Sequence, residues 1–169
     1  MLGLEKFYLV SFLCKTYFYG KKVEKLEIRK VELFTPVHQA ALDLRQEVLG
    51  TVHDFELEEK LTVFVALEEG KVIGTAAVQL YPLGIARVRQ VATSVEARGK
   101  SVGTKLMDAC EDYALMMGAH QVVLTGRQTA SGFYSKRGYE QFLLPFSNHG
   151  IEFLWMRKYL LAETEAEIA

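Results

Sequence analysis

The chain has 169 residues and a formal net charge of -1, from 20 lysines and arginines against 21 aspartates and glutamates. One domain of ordinary size is expected, and the balanced charge offers no bulk attraction to nucleic acid. Half the residues are hydrophobic and 24% are charged, a composition that excludes an intrinsically disordered chain.

The first 25 residues differ in character from the rest of the chain. Phe7 to Cys14 is the most apolar run, but Lys15, Lys21 and Lys22 come after it rather than before it, the reverse of a secretory signal. The run is also about half the roughly 20 residues a membrane-spanning helix needs, so no span is expected. Residues 1–30 hold seven basic residues and three acidic ones, which marks 1–25, with its aromatics, as a basic extension that packs on the domain or on a partner subunit. A homodimer is therefore left open.

From Leu26 the periodicity becomes regular. Leu26, Ile28, Val31 and Leu33 read as a strand. Thr35-Pro36 reads as a helix cap followed by proline at the first helical position, with Gly50 as the stop after Leu49. The three- and four-residue spacing predicts a buried stripe of Val37, Ala40, Ala41, Leu44 and Val48. Residues 61–67 and 72–78 read as a hairpin joined through Glu68-Glu69-Gly70-Lys71, and Ala86 to Thr93 as a third strand. A helix opens after Arg98 to Gly103, with a stripe of Val102, Leu106, Ala109, Cys110, Tyr113 and Met117, and ends at Gly118. A strand over 121–125, a short helix over 129–136 and strands over 139–144 and 151–156 complete a domain of residues 26–160, followed by an acidic tail, 161–169. The fold class is α/β (α+β), with a mostly antiparallel central sheet.

Chemistry is expected where the third strand gives way to the glycine-bearing loop, because a helix N-terminus leaves unpaired N–H groups that attract anions such as phosphate. Arg87, Arg89, Arg98, Lys100 and Lys105 face only Glu96 in this stretch, a local excess of positive charge that suits a polyanionic ligand. Gly99-Lys100-Ser101 imitates the end of a nucleotide-binding loop, yet Ser94 stands where that motif requires glycine, so nucleoside triphosphatase activity is not expected.

Arg98-Gly99-Lys100-Ser101-Val102-Gly103 resembles the acetyl-CoA pyrophosphate loop of the GNAT superfamily of N-acetyltransferases. Ala130-Ser131-Gly132-Phe133-Tyr134, running on to Gly138-Tyr139, resembles the same family's later Ala-x-x-Phe-Tyr signature, in the right order and separation. The resemblance spans roughly Leu26 to Lys158 and implies a GNAT-like fold with acetyl-CoA as cosubstrate. Its grip would come from Val91, Ala92 and Thr93 along the strand, from Arg98, Gly99, Lys100, Ser101, Val102, Gly103 and Thr104 around the pyrophosphate, and from Ala130 and Phe133. It implies direct attack of a primary amine of a small molecule or peptide on the thioester, with Tyr134 protonating the departing thiolate. Phe133 is expected in the core, on the opposite side of the short helix from Tyr134.

Four positions depart from the family pattern: Ser101 for a loop glycine, Arg127 for asparagine, Val95 for proline, and Glu152-Phe153 for Pro-His. Serine at 101 is tolerated if φ is negative there and costs about 1 kcal/mol if φ is positive. No general base matches a motif. His38, Glu47, His53 and Glu58 qualify by location alone, and each is expected to be solvated or to cap a helix. His120 and His149 read as surface or turn residues, and Cys110 as a core residue, with no metal site. The reduced, unpaired cysteines suit a cytoplasmic protein. A non-catalytic acyl-CoA-binding or sensor module on the same fold is the alternative function.

Overall fold

The computed structural model describes residues 26–160. The N-terminal extension, with Cys14, and the acidic C-terminal tail lie outside the described residues. In chain order the elements are β1 (Glu27–Val31), α1 (Pro36–Leu49), α2 (Phe55–Glu58), β2 (Thr62–Glu68), β3 (Lys71–Tyr81) and β4 (Ile85–Thr93). After a single 3-10 turn at Val95–Ala97 come α3 (Val102–Met116), β5 (Gln121–Arg127), a second 3-10 turn at Gln128–Ala130, α4 (Ser131–Lys136), β6 (Glu140–Gln141), β7 (Phe146–Asn148) and β8 (Ile151–Tyr159).

The strands form one sheet in the order β1-β2-β3-β4-β5-β8-β6, with β7 also paired to β8, and β4–β5 is the parallel pair in an otherwise antiparallel array. Alternation along each strand assigns the two faces. Phe64, Val78, Val88, Val122, Leu124 and Met156 pack with Leu106, Met107 and Cys110 of α3 in the main core. On the other face, Val65 and Leu67 pack with Val31 and with Ala41 of α1. The sheet is thus sandwiched, α3 on one side and α1 on the other.

Local chemistry accounts for the helix boundaries. Thr35 Oγ1 accepts from the His38 amide at 3.3 Å, Pro36 follows it, and Gly50 closes α1 with φ of 69°. The buried face of α1 is rotated from the apolar stripe read in the sequence: His38, Ala41, Leu42, Leu44 and Arg45 are buried, while Val37, Ala40 and Val48 are half-buried. Two polar residues point inward because they satisfy each other through Glu58 of α2, an element the sequence reading missed. His38 Nε2 meets Glu58 Oε2 at 3.2 Å, and Arg45 Nη1 donates to both Glu58 oxygens at 2.8 and 3.0 Å. A buried guanidinium is tolerable only with such a partner.

Other differences are small. The first strand stops at Val31 rather than Leu33, and Met117 is exposed because α3 ends one residue before it. The strand read over 139–144 shrinks to Glu140–Gln141. Its successor β7 pairs with β8 across a two-residue turn, His149-Gly150, in which both φ values are positive. Those φ values are the mark of a hairpin turn whose twist matches the strands.

Candidate functional site

The site arises where pairing between β4 and β5 is interrupted. The parallel ladder runs from Ile85–Gln121 to Val88–Leu124 and stops, although β4 continues to Thr93 and β5 to Arg127. The two strand ends splay, and β5 does not cover the edge of β4 beyond Val88.

A bulge rephases β4 at the same point. Ala77 lies opposite Arg89 and Thr75 opposite Ala92, so Gln90 and Val91 together face Ala76. Gln90 takes φ of 54° to achieve this. Without the bulge, Val91 and Thr93 would share a face with Arg87 and Arg89, because the side-chain period of a strand is two. With it, Val91 and Thr93 turn toward α3, while Arg89 stays on the α1 face with Ala77.

The N-terminus of α3 is held against this opening. A Cβ on Gly74 of β3 would lie 2.8 Å from Val102 Cγ1 and 2.9 Å from Leu106 Cδ1, so glycine is what lets the first turns of α3 approach the sheet. The helix starts without a side-chain cap: Ser101, at the N-cap position, makes no capping bond and adopts φ 59°, ψ 17°. The first-turn N–H groups therefore point outward unpaired, an anion site by geometry.

A cavity of about 440 Å³ occupies the resulting cleft. Val91 and Thr93 form its strand wall and Arg98, Gly99, Ser101, Val102, Gly103 and Thr104 its loop wall, while Ala130 and Phe133 close it from α4. Ten of the twelve residues expected to hold the cosubstrate line this cavity together with Tyr134, and Ala97 adds to them. Two do not line it. Ala92 is buried, turned to the α1 face by the bulge, and Lys100 reaches away to Glu68 at 3.3 Å. The predicted concentration of positive charge also divides. Arg87 and Arg89 lie on the α1 face, Arg87 over the Trp155 ring and Arg89 donating to Tyr81 Oη, which leaves Arg98 to line the cleft.

Phe133 is not on the far side from Tyr134. The two rings meet edge to face at 5.1 Å, and both line the cavity. Successive residues of an α-helix are only about 100° apart, so neighbouring rings can meet rather than lie on opposite sides. Its seat is fixed by Arg137, which donates to Asp108 at 2.7 Å, Glu111 at 2.9 Å and the Thr104 carbonyl at 3.3 Å, binding α4 to α3. Tyr139 Oη also donates to Glu111. Tyr134 rests on Gly126 of β5, where a Cβ would come within 2.8 Å of the tyrosine ring. The Tyr134 hydroxyl has no hydrogen-bond partner among the described residues, and burial, with a smaller contribution from Cys110, pushes its pKa up to about 12. It stays protonated at neutral pH and can donate.

Residues 59–141 match the acetyltransferase (GNAT) domain. The domain belongs to the GNAT acetyltransferase family. An uncharacterised N-acetyltransferase of Chlorobaculum tepidum is 35% identical over 79 residues, which are 46% of this chain and 49% of that protein. The chain thus spans about half the length of the curated relative it matches. Among solved structures, a candidate N-acetyltransferase from Lactobacillus plantarum superposes with a TM-score of 0.70 at 27% identity, over 80% of this chain and 99% of the other. A GNAT family acetyltransferase from Elizabethkingia anophelis with acetyl-CoA bound shares the fold at 13% identity and a TM-score of 0.65, over 80% of this chain and 98% of its own.

Within this GNAT domain the base candidates separate. Neither His38 nor Glu58 is solvated: Glu58 is buried and pairs with Arg45, and the buried His38 ring joins Glu58 to the Phe34 amide, from which it accepts at 3.2 Å just before α1, a capping contact as expected. Glu47 is exposed and His53 half-buried, and neither lines the cavity. Cys110 is fully buried and burial raises its thiol pKa, which keeps it inert. His120 Nδ1 donates to the Gly84 carbonyl at 2.8 Å, and His149 sits in the β7–β8 turn. Arg127, at the family's asparagine position, donates to the Leu49 carbonyl at the end of α1. No helix of the described residues is long and apolar enough to cross a membrane.

Proposed function

We propose that this GNAT domain transfers the acetyl group of acetyl-CoA to a primary amine of a small molecule or peptide. The observation that carries the reading is the convergence, on one cleft, of an uncapped helix N-terminus, an uncovered β4 edge and a protonated, unpartnered tyrosine hydroxyl. Acetyl-CoA would supply an activated thioester carbonyl there.

The residues present fit that ligand. The first-turn amides of α3 would hold a pyrophosphate, with Arg98 adding charge at the rim. Gly103 leaves the gap before Phe133 open: a Cβ there would lie 3.4 Å from Phe133 Cζ. The main chain of Val91 to Thr93 would hydrogen-bond the extended arm, and an N–H of this edge would polarise the carbonyl oxygen. Tyr134 Oη would deliver its proton to the departing sulfur. No side chain is assigned as the base. The attacking amine enters neutral and its proton leaves through solvent.

The test is release of free CoA thiol from acetyl-CoA with a panel of amines, beside the melting shift that acetyl-CoA produces. Tyr134→Phe keeps the ring on Gly126 and removes the donor. It should leave the melting shift intact and lower kcat by about 10²-fold or more with little change in KM. Full activity in that variant removes Tyr134 from the chemistry. Acetyl-CoA binding with no thiol release for any amine favours the sensor alternative.

A further inference from the structure

The α1 face of the sheet beside the β4–β5 splay carries a second constellation. Arg87 lies over the Trp155 ring, 4.8 Å from its centroid, and Arg89 Nη2 donates to Tyr81 Oη at 3.3 Å. Phe146 stacks on Phe153 at 5.5 Å and tilts against Trp155 at 6.0 Å, extending an aromatic wall along β8. Trp155 is paired with Thr125 and Phe153 with Arg127, on the diverging end of β5. Arg89 is one residue beyond the last β4–β5 pair, Val88–Leu124.

Arg127, on the same face, is held by the Leu49 carbonyl, and three other arginines that pack on the domain have carboxylate partners. Arg45 is paired with Glu58, Arg137 with Asp108 and Glu111, and Arg157 with Glu140. Arg87 and Arg89 have no carboxylate in ion-pair reach among the described residues. The Nε atom of each is buried without a hydrogen-bond partner there, a feature shared with the paired Arg45 and Arg137, and so is Gln90 Oε1 at the bulge between them and the cavity. Burial, then the neighbouring Arg89, disfavours the charged form of Arg87. Two half-buried guanidiniums side by side, sharing the Tyr81 hydroxyl and with no carboxylate in reach among the described residues, are stabilised by an anion that joins them.

We infer that this face is the acceptor's seat and that the acceptor is an amine that also bears a carboxylate and an apolar or aromatic body. Arg87 and Arg89 hold the carboxylate, and Trp155, Phe146 and Phe153 hold the body. Planar guanidinium forks match a planar carboxylate in a bidentate manner, and the aromatic wall suits an organic acid rather than a free phosphate. With its carboxylate at Arg89, a short molecule places its amine at the splay, opposite the Tyr134 cavity. This deepens the transferase reading and rests on it for the statement that the bound molecule is the acceptor.

Two measurements test it on the full chain. Calorimetry with phenylacetate, phenylacetamide and inorganic phosphate reads the anion site without turnover. Phenylacetate is expected to bind about tenfold or more tightly than the neutral amide and than phosphate, and Arg87→Gln or Arg89→Gln to remove that preference while the acetyl-CoA melting shift remains. Thiol release with phenylalanine against phenylalaninamide then reads the acceptor, with the acid favoured about tenfold or more in kcat/KM and the ratio falling to near one in either variant. Equal binding of phenylacetate and phenylacetamide overturns the inference, as does tighter binding of phosphate or a preference that survives both substitutions. Arginine-dependent phenylacetate binding with no thiol release for any amine leaves the carboxylate site standing and removes the transferase reading.

Discussion

Ser101→Gly should stabilise the protein, an unusual outcome for a substitution in a ligand-binding loop. Ser101 holds φ 59°, ψ 17°, makes no capping bond and is exposed, so its side chain contributes no contact that glycine would lose. A left-handed backbone costs a non-glycine residue about 1–2 kcal/mol. Glycine recovers that cost but gives back about 0.5–1 kcal/mol through its freer unfolded chain. The difference favours the variant by about 0.5–1 kcal/mol, or a Tm higher by roughly 1–4 °C for a domain of this size. Thermal unfolding without ligand measures it, with Ser101→Ala as the control that removes the hydroxyl and keeps the strain. The alanine variant should melt with the wild type, and acetyl-CoA should raise the Tm of the glycine variant at least as much as before, because the amide donors are unchanged. A glycine variant no more stable than the alanine one refutes the strain argument, and an alanine variant that loses the acetyl-CoA shift shows that the hydroxyl itself binds.

Gly126→Ala should push the Tyr134 ring off its seat, lowering kcat about 10²-fold as Tyr134→Phe does while leaving the acetyl-CoA melting shift; unchanged kcat would show that the ring position is not critical. Glu58→Gln leaves the buried Arg45 without its carboxylate and should cost about 3–5 kcal/mol, read as a midpoint shift in urea. Because Tyr134 is raised by burial to about 12 from an ordinary value near 10, the donor form persists as pH rises, and kcat should show no fall attributable to it below about pH 11. The linked stability has the same sign: it is complete below about pH 10 and is lost as pH rises toward 12. An alkaline limb near pH 10 that disappears in Tyr134→Phe would contradict that burial.

The parts of this domain that obey local rules were legible. Thr35-Pro36 and Gly50 bracket α1 because capping is a property of a few adjacent residues, and the loop before α3 declares itself through glycines and the later Phe-Tyr pair. What stayed hidden depends on distant partners. Nothing near Arg45 in sequence indicates that it is buried, since its carboxylate arrives from Glu58 on a four-residue helix too short for periodicity to reveal. Gly74 and Gly126 look like ordinary strand residues until the helix and the tyrosine that need their missing Cβ atoms are in place. A charge count over residues 87–105 could not sort the five cations either, because it contains no information about which face of β4 each one takes.

The bulge at Gln90 is the feature that makes the sorting meaningful. A regular pairing of the same residues would put Arg87, Arg89, Val91 and Thr93 in one row, so that a polyanionic ligand and a carboxylate would compete for a single face. The bulged residue, carried by a φ of 54° at Gln90, sends the last two to the α3 side and keeps the arginines on the α1 side. The interrupted ladder beyond Val88 then leaves the strand edge between the two faces unpaired at the same residues. A ligand held by helix amides and one held by guanidiniums can therefore approach from opposite sides and meet at a backbone edge, each kept from the other's anion site by the sheet. Gln90→Pro should collapse this separation, because proline locks φ near -65° and cannot take the left-handed conformation the bulge requires. Val91 and Thr93 then fall in phase with Arg89, and acetyl-CoA should lose its melting shift even though every residue of the α3 loop remains. Gln90→Gly, which adopts positive φ without steric cost, is the control and should keep the shift. A proline variant that folds and retains the shift would show that the loop alone, without the rephased strand edge, suffices for binding.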